Sequence, residues 1–235
     1  MNKVKYHFFG KECFIDNNLS DYLDLERNLK KLNFSYQHHP LFLNQIHSNK
    51  VVVIDDMKKL HGKTSLPKAD ALVTNLKGIV LAIITADCVP ILFCDDKSEI
   101  IAATHCGWKG AKLGVVSNTI LEMVKLGAKP ENIRAIIGPA IKQKSYEISK
   151  EFYGEFLKET NDNKEFFIDS KKEGHFMFDL IAYVKGKIIQ EGVGEVVDES
   201  CDTYKNSDRF FSYRRSCHSG EVGCGRNISV VGIGV

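Results

Sequence analysis

The stretch IAATHCGWKGA, residues 101–111, changes character half-way along. Its first half is apolar and suited to a buried strand. Its second half crowds a histidine, a cysteine, the chain's only tryptophan and a lysine around two glycines. A strand ending there and a helix starting just past Gly107 explain the change of period. Downstream, Leu113, Val116, Ile120, Met123, Val124 and Leu126 recur at helical spacing, and Gly127 with Pro130 supplies a stop. Upstream, VPILFCDD (89–96) and EIIAAT (99–104) are joined by a charged, serine-containing turn and read as a strand pair.

The same reading extends outward. VVVID (51–55), GIVLAIIT (78–85), IRAIIGPA (133–140) and the closing NISVVGIGV have strand character, whereas 149–160 and FDLIAYVKGKIIQEGV (178–193) have helical character, the latter stopping at Gly192. Strands and helices alternate without a strict βαβ rhythm, which selects a mixed-sheet α/β (α+β) fold over a doubly wound one. No Gly-x-Gly-x-x-Gly or P-loop sequence points to a dinucleotide fold. Residues 1–235 show no repeat, low-complexity segment or linker, and read as one domain.

Lysine and arginine total 32 against 30 acidic residues, a net charge of +2, which leaves little general field for a nucleic-acid backbone. Any anion must therefore be gripped locally. The expected setting is the cytoplasm, because no signal-peptide core or membrane-spanning run is seen. The expected state is a monomer or homodimer. Seven cysteines, at 13, 88, 94, 106, 201, 217 and 224, form no regular framework and read as reduced thiols.

Three segments share one pattern, an apolar strand running into a turn with a metal-competent or acid–base side chain: NQIHS with His47, TADCVP with Asp87 and Cys88, and THCGWKG with His105. Two imidazoles and a thiolate would give a metal ion three ligands and leave a fourth position open, an arrangement suited to catalysis. The spacing matches no zinc module, so the fold would have to assemble the site. Read alone, each residue also has an ordinary role: a core histidine, a small buried thiol, a capping histidine.

The segments Q-x-H, A-D-A-L-V-T, L-A-x-x-T-A-D-C-V-P-I-L and A-x-x-H-x-G-W-K-G, with IIGPAI, MFDL, FFSYRR and GRNISVV, together resemble the YfiH-like family, also called the laccase-domain or polyphenol-oxidase family. The resemblance runs from about residue 44 to the C-terminus. It implies a four-layer α/β/β/α fold and a zinc site, with copper as the other candidate metal, built from His47, Cys88 and His105. It also implies purine nucleoside phosphorylase activity, with adenosine deaminase and methylthioadenosine phosphorylase side activities, on a purine nucleoside and phosphate. Phosphorolysis requires donors for phosphate and stabilisation of the departing base. Lys109, Arg214, Arg215 and Arg226 are candidates for the first role. Asp87 is a candidate to orient the purine or move a proton, or equally a partner of His47 or His105. Gly107 would permit close backbone approach, and the next helix would offer free N–H groups to an anion.

Alternatives that use the same residues are a Cys88–His105 hydrolase or amidase linked to peptidoglycan editing, a copper polyphenol oxidase, and a non-enzymatic binding protein whose metal only holds the fold. The chain departs from the family pattern at Ser48, where glycine is usual, at Lys109 for arginine, at Cys106 for a small residue, and in GPAIKQKSYEIS, which lacks a cysteine. The run RRSCHSGEVGCGR is also longer than usual, and Cys217, His218 and Cys224 are expected on an exposed loop.

Overall fold

The computed structural model describes residues 4–13, 19–60 and 66–235. In chain order, strand β1 (Val4–Phe9) is followed by helix α1 (Leu19–Lys31), then by β2 (Val51–Ile54), β3 (Ala71–Thr74), β4 (Ile79–Thr85), β5 (Val89–Asp95) and β6 (Ile100–Cys106). Helices α2 (Trp108–Leu113) and α3 (Val115–Lys125) lead to β7 (Arg134–Ile137), β8 (Glu147–Ser149), α4 (Lys150–Leu157), β9 (Phe167–Asp169) and β10 (His175–Phe178). Helix α5 (Leu180–Gln190), β11 (Glu195–Asp198), α6 (Tyr213–Ser219) and β12 (Asn227–Ile233) complete the chain.

Continuous apolar runs belong in strands covered on both faces, and the packing shows that cover. A six-stranded mixed sheet, ordered β11-β7-β5-β6-β3-β2, stacks on a three-stranded sheet, β1-β12-β4. Along β5 the side chains alternate: Val89, Ile91 and Phe93 pack with α3, α4 and α5, while Leu92 and Cys94 face the smaller sheet. Along β4, Ile79, Leu81 and Ile83 face the larger sheet, and Val80 and Ala82 turn to Leu25 and Leu29 of α1. The layers are therefore helix, sheet, sheet, helix. A third small sheet, β8-β10-β9, lies with α4 and adds Phe167 and Phe178 to the helical side of the core.

The helix expected after Gly107 is two helices. Gly114 takes φ +86°, a left-handed conformation that closes α2 and starts α3 on a new axis. The single-helix reading put Leu113 and Val124 on the apolar face; they are 57% and 38% exposed, while Val116, Ile120 and Met123 are buried as expected. Residues 41–50 are irregular rather than a strand leading to His47, with isolated bridges from Leu41 to Leu81 and Asn44 to Lys68. Cys217 and His218 lie on α6 and not in a loop. No helix among the described residues is long and apolar enough to cross a membrane.

Asp95, fully buried at the end of β5, organises the β5–β6 turn: it accepts from Lys97 N (2.9 Å) and Ser98 N (3.0 Å), and from Lys129 N (3.1 Å) beyond α3. Burial alone would raise its pKa, but the Ser98 and Lys129 N–H groups outweigh this and hold it below the ordinary carboxylate value. Asp95→Ala is expected to cost about 2 kcal/mol in urea unfolding at neutral pH. The difference between the two proteins should be complete above the unfolded carboxyl pKa of about 3.9 and vanish as pH falls through the lower folded value.

Candidate metal centre

Strand directions bring four distant segments to one end of the larger sheet. Because β5 and β6 are antiparallel, Val89 at the start of β5 is paired with Cys106, and Pro90 with His105, at the end of β6. Because β3 runs against β6 and parallel to β2, Ala71 pairs with Thr104, and Val51 with Ala71. The residues just before these strand starts, Cys88, Asp70 and the 46–50 segment, therefore meet His105. The 86–88 turn carries the chain from the smaller sheet, which β4 leaves at Thr85, to the larger sheet, which β5 enters at Val89.

The metal-competent atoms of His47, Cys88 and His105 all lie within 4.8 Å of one another, and this is the one such group among the described residues. Cys88 Sγ is 3.9 Å from His47 Nε2, and the two imidazoles stand nearly perpendicular with ring centres 4.7 Å apart. Tetrahedral bonds of about 2.3 Å to sulfur and about 2.0 Å to nitrogen would place such donors roughly 3.5 Å apart, so the Cys88–His47 pair is already near that spacing and the widest pair would have to close by about an ångström around one ion. Gly107 makes this convergence possible: a β-carbon there would come 2.9 Å from Cys88 Sγ and 3.0 Å from His47 Cδ2. His105 is buried, Cys88 half-buried and His47 exposed, so the cluster opens to one side.

Asp70 orders it. This fully buried carboxylate accepts a hydrogen bond from the His105 Nδ1–H at 2.9 Å, which directs Nε2 to the cluster. It also accepts from His47 N (2.9 Å), Ser48 N (2.6 Å) and Ser48 Oγ (2.7 Å), and so holds His47 at φ +56°. The serine found where the family usually has glycine thus adds a donor. Gln45 pins the same segment by bonding Ile84 at both its N–H (2.8 Å) and its carbonyl (2.7 Å). Burial would raise the Asp70 pKa, but the bonds from His105 and Ser48 prevail and bring it to about 2.

Without a metal, the charges arrange themselves as an ion pair. Burial pushes the Cys88 thiol up, but the His105 and His47 imidazoles overcome that and bring it to about 6. Burial likewise disfavours charged His105, and Cys88 with Asp70 reverses this, raising it to about 9. Cys106, fully buried beneath the cluster, is pushed the other way, first by burial and then by Cys88, and stays a neutral thiol.

Residues 18–234 match the family described as multi-copper polyphenol oxidoreductase laccase. The chain belongs to that family. It is 44% identical over 178 residues to a purine nucleoside phosphorylase of Rickettsia prowazekii, covering 76% of this chain and 71% of that protein. It is 32% identical over 184 residues to purine nucleoside phosphorylase YfiH of Escherichia coli, covering 78% and 71%. A solved protein of Neisseria meningitidis superposes with TM-score 0.77 at 29% identity, covering 98% of this chain and 94% of that one. The YfiH structure from Bacillus licheniformis superposes with TM-score 0.82, covering 99% and 93%; at 24% identity it speaks for the fold alone.

The other residues singled out in the sequence part company. Arg226 lines the cavity of about 930 Å³ that also holds His47, Cys88 and His105, and its guanidinium is steadied by the carbonyls of Cys224 and Gly225. Arg215 donates to the carbonyls of Thr203, Tyr204 and Phe210, a structural tie. Arg214 faces a different hollow, beside Tyr146. Lys109 is exposed with its ammonium over Trp108, and α2 is only six residues long, too short for a strong N-terminal field. Asp87 bonds neither cluster histidine; its oxygens accept from Thr203 Oγ1 (2.7 Å) and Arg214 N (2.6 Å), and the partner's place belongs to Asp70. Asp70 was missed as a site residue although it lies in the quoted A-D-A-L-V-T. Tyr213, 60% exposed on the cavity wall, was also missed.

Replacing Asp70 by Asn keeps the size and removes the charge that holds both histidines. Metal affinity, measured by competition with a chromogenic chelator, should fall about 10- to 100-fold, with the far-ultraviolet circular dichroism retained.

Proposed function

We propose that this chain is a zinc-dependent purine nucleoside phosphorylase, acting on adenosine, inosine and guanosine with phosphate to give the base and ribose 1-phosphate. Adenosine deaminase and methylthioadenosine phosphorylase reactions are side activities of the same site. The observation that carries the reading is one cavity in which a two-histidine, one-cysteine cluster open on one side shares a wall with a guanidinium. The relatives named purine nucleoside phosphorylase support it.

His47, Cys88 and His105 would hold the ion, which would supply Lewis acidity to the cavity. Arg226 binds phosphate through the guanidinium N–H groups that its own loop leaves unused. The exposed ring of Tyr213 offers a face for the purine. His105 keeps its Nδ1 proton on Asp70, so its tautomer is fixed through the reaction. Asp87 acts through position: by holding Arg214 N and Thr203 Oγ1 it fixes the α6 entrance, and hence Tyr213, against the turn that carries Cys88. A cavity of this size takes a nucleoside together with phosphate.

A second reading rests on geometry of the same residues. Asp70 orients His105, and Cys88 Sγ lies beside both imidazoles, an arrangement that serves a thiol hydrolase or amidase equally well when no metal is bound. The family's description names several copper ions, whereas the described residues supply one three-donor group, so the laccase reaction is the weakest fit.

Inosine plus phosphate should yield hypoxanthine and ribose 1-phosphate, with loss of at least about 100-fold in His47→Ala and Cys88→Ala. Arg226→Gln should raise the phosphate KM about tenfold or more with a smaller change in nucleoside KM. Full phosphorolysis in the two ligand variants would reject the site. Activity insensitive to chelator but abolished by alkylation of Cys88 would favour the thiol enzyme.

A further inference from the structure

We infer that a second hollow, walled by Trp108, Tyr146, Phe152, His175 and Arg214, binds a planar aromatic ring that carries an anionic group, and that it does so separately from the metal cavity. The hollow measures about 410 Å³ and shares no lining residue with that cavity. Its volume lies within the range of small-molecule sites.

Its walls offer the two halves of such a ligand their partners. Trp108 and Phe152 meet edge to face at 4.9 Å, and Phe152 meets Tyr146 at 6.3 Å in the same manner, so three partly buried rings form one aromatic wall of the hollow. The Arg214 guanidinium lies 5.1 Å over Tyr146 and is aimed by a 2.6 Å bond from Nη1 to the Glu147 carbonyl. That bond uses one N–H of the fork, and no carboxylate of the described residues forms an ion pair with Arg214, so the remaining donors can take an anion. His175 turns Nδ1 to the Glu173 carbonyl at 3.0 Å, which leaves Nε2 for a ligand. The carboxylate on the wall, Glu147, is engaged by Ser170 Oγ. Lys109, outside the lining, holds its exposed ammonium 5.4 Å over the Trp108 ring.

Trp108 is the chain's only tryptophan, so its fluorescence reports on this hollow. Adenosine monophosphate, titrated into the protein as purified, should give a saturable change in emission. Inorganic phosphate or adenosine alone should bind about tenfold or more weakly, since each lacks one half of the contact. Arg214→Gln should weaken the nucleotide about tenfold, and it preserves the main-chain N–H that holds Asp87. His175→Ala, at a partly exposed position, should weaken it severalfold. In His47→Ala the nucleotide titration should persist although nucleoside cleavage is lost. Emission that does not respond to the nucleotide, a response indifferent to both Arg214→Gln and His175→Ala, or one lost in His47→Ala would each overturn the inference. Absence of phosphorolysis in the unmodified protein would reject the function proposed above and leave this binding result standing.

Discussion

A single buried carboxylate organises the candidate metal centre. Asp70 has no exposure to solvent, and an ionised carboxylate in that position is tolerable only when its lone pairs are filled. They are filled by the His105 ring, the His47 and Ser48 N–H groups and the Ser48 hydroxyl. The same bonds that make Asp70 affordable in the interior fix the tautomer of one histidine and the backbone of another. His47 needs this support because a histidine at φ +56° is held in a sparsely populated conformation.

The rest of the architecture explains why these groups meet. Successive β4 and β5 belong to different sheets, so the chain must cross from one layer to the other at the end of the sandwich, and Cys88 lies on that crossing. Strand pairing then fixes His105 beside it, while Gly107 keeps the following backbone close. Gln45 completes the enclosure by bonding both backbone groups of Ile84, as a neighbouring strand residue would do with its main chain. Asp70, Cys88 and His105 thereby sit at the ends of interior strands, which gives residues beside the loops the positional accuracy of strands.

The parts of this arrangement that were legible in the sequence are those with a local period. Double-sided apolar runs gave β4, β5, β6 and β12, and spacing gave the buried face of α3 through Val116, Ile120 and Met123. Periodicity could not show that Gly114 divides the helix, because glycine at φ +86° is one of several states that glycine adopts freely. The three residues that cluster as candidate ligands were visible as chemistry and through the family resemblance. Asp70 was not, because its importance lies in five contacts with residues 22 to 35 positions away. Basic residues are the least legible: Arg214, Arg215 and Arg226 look alike in sequence, yet one faces the aromatic hollow, one is absorbed by three carbonyls and one lines the metal cavity.

The electrostatics of the cluster bear on how it can receive an ion. Metal binding requires a thiolate and a neutral imidazole nitrogen, and protons compete for both. Burial opposes the Cys88 thiolate, but the histidines bring its pKa to about 6, so the sulfur is ready at neutral pH. His105 is protonated under the same conditions, held near 9 by Cys88 and Asp70 against the effect of burial. A cation held by His47, Cys88 and His105 would supply the positive charge that this imidazolium now offers the sulfur. The proton that would compete with such a cation is the one on Nε2, since the Nδ1–H of His105 is engaged by Asp70. With Asp70 and Cys88 ionised against one imidazolium, the metal-free cluster carries an excess of negative charge, which favours a cation at the place where its donors converge.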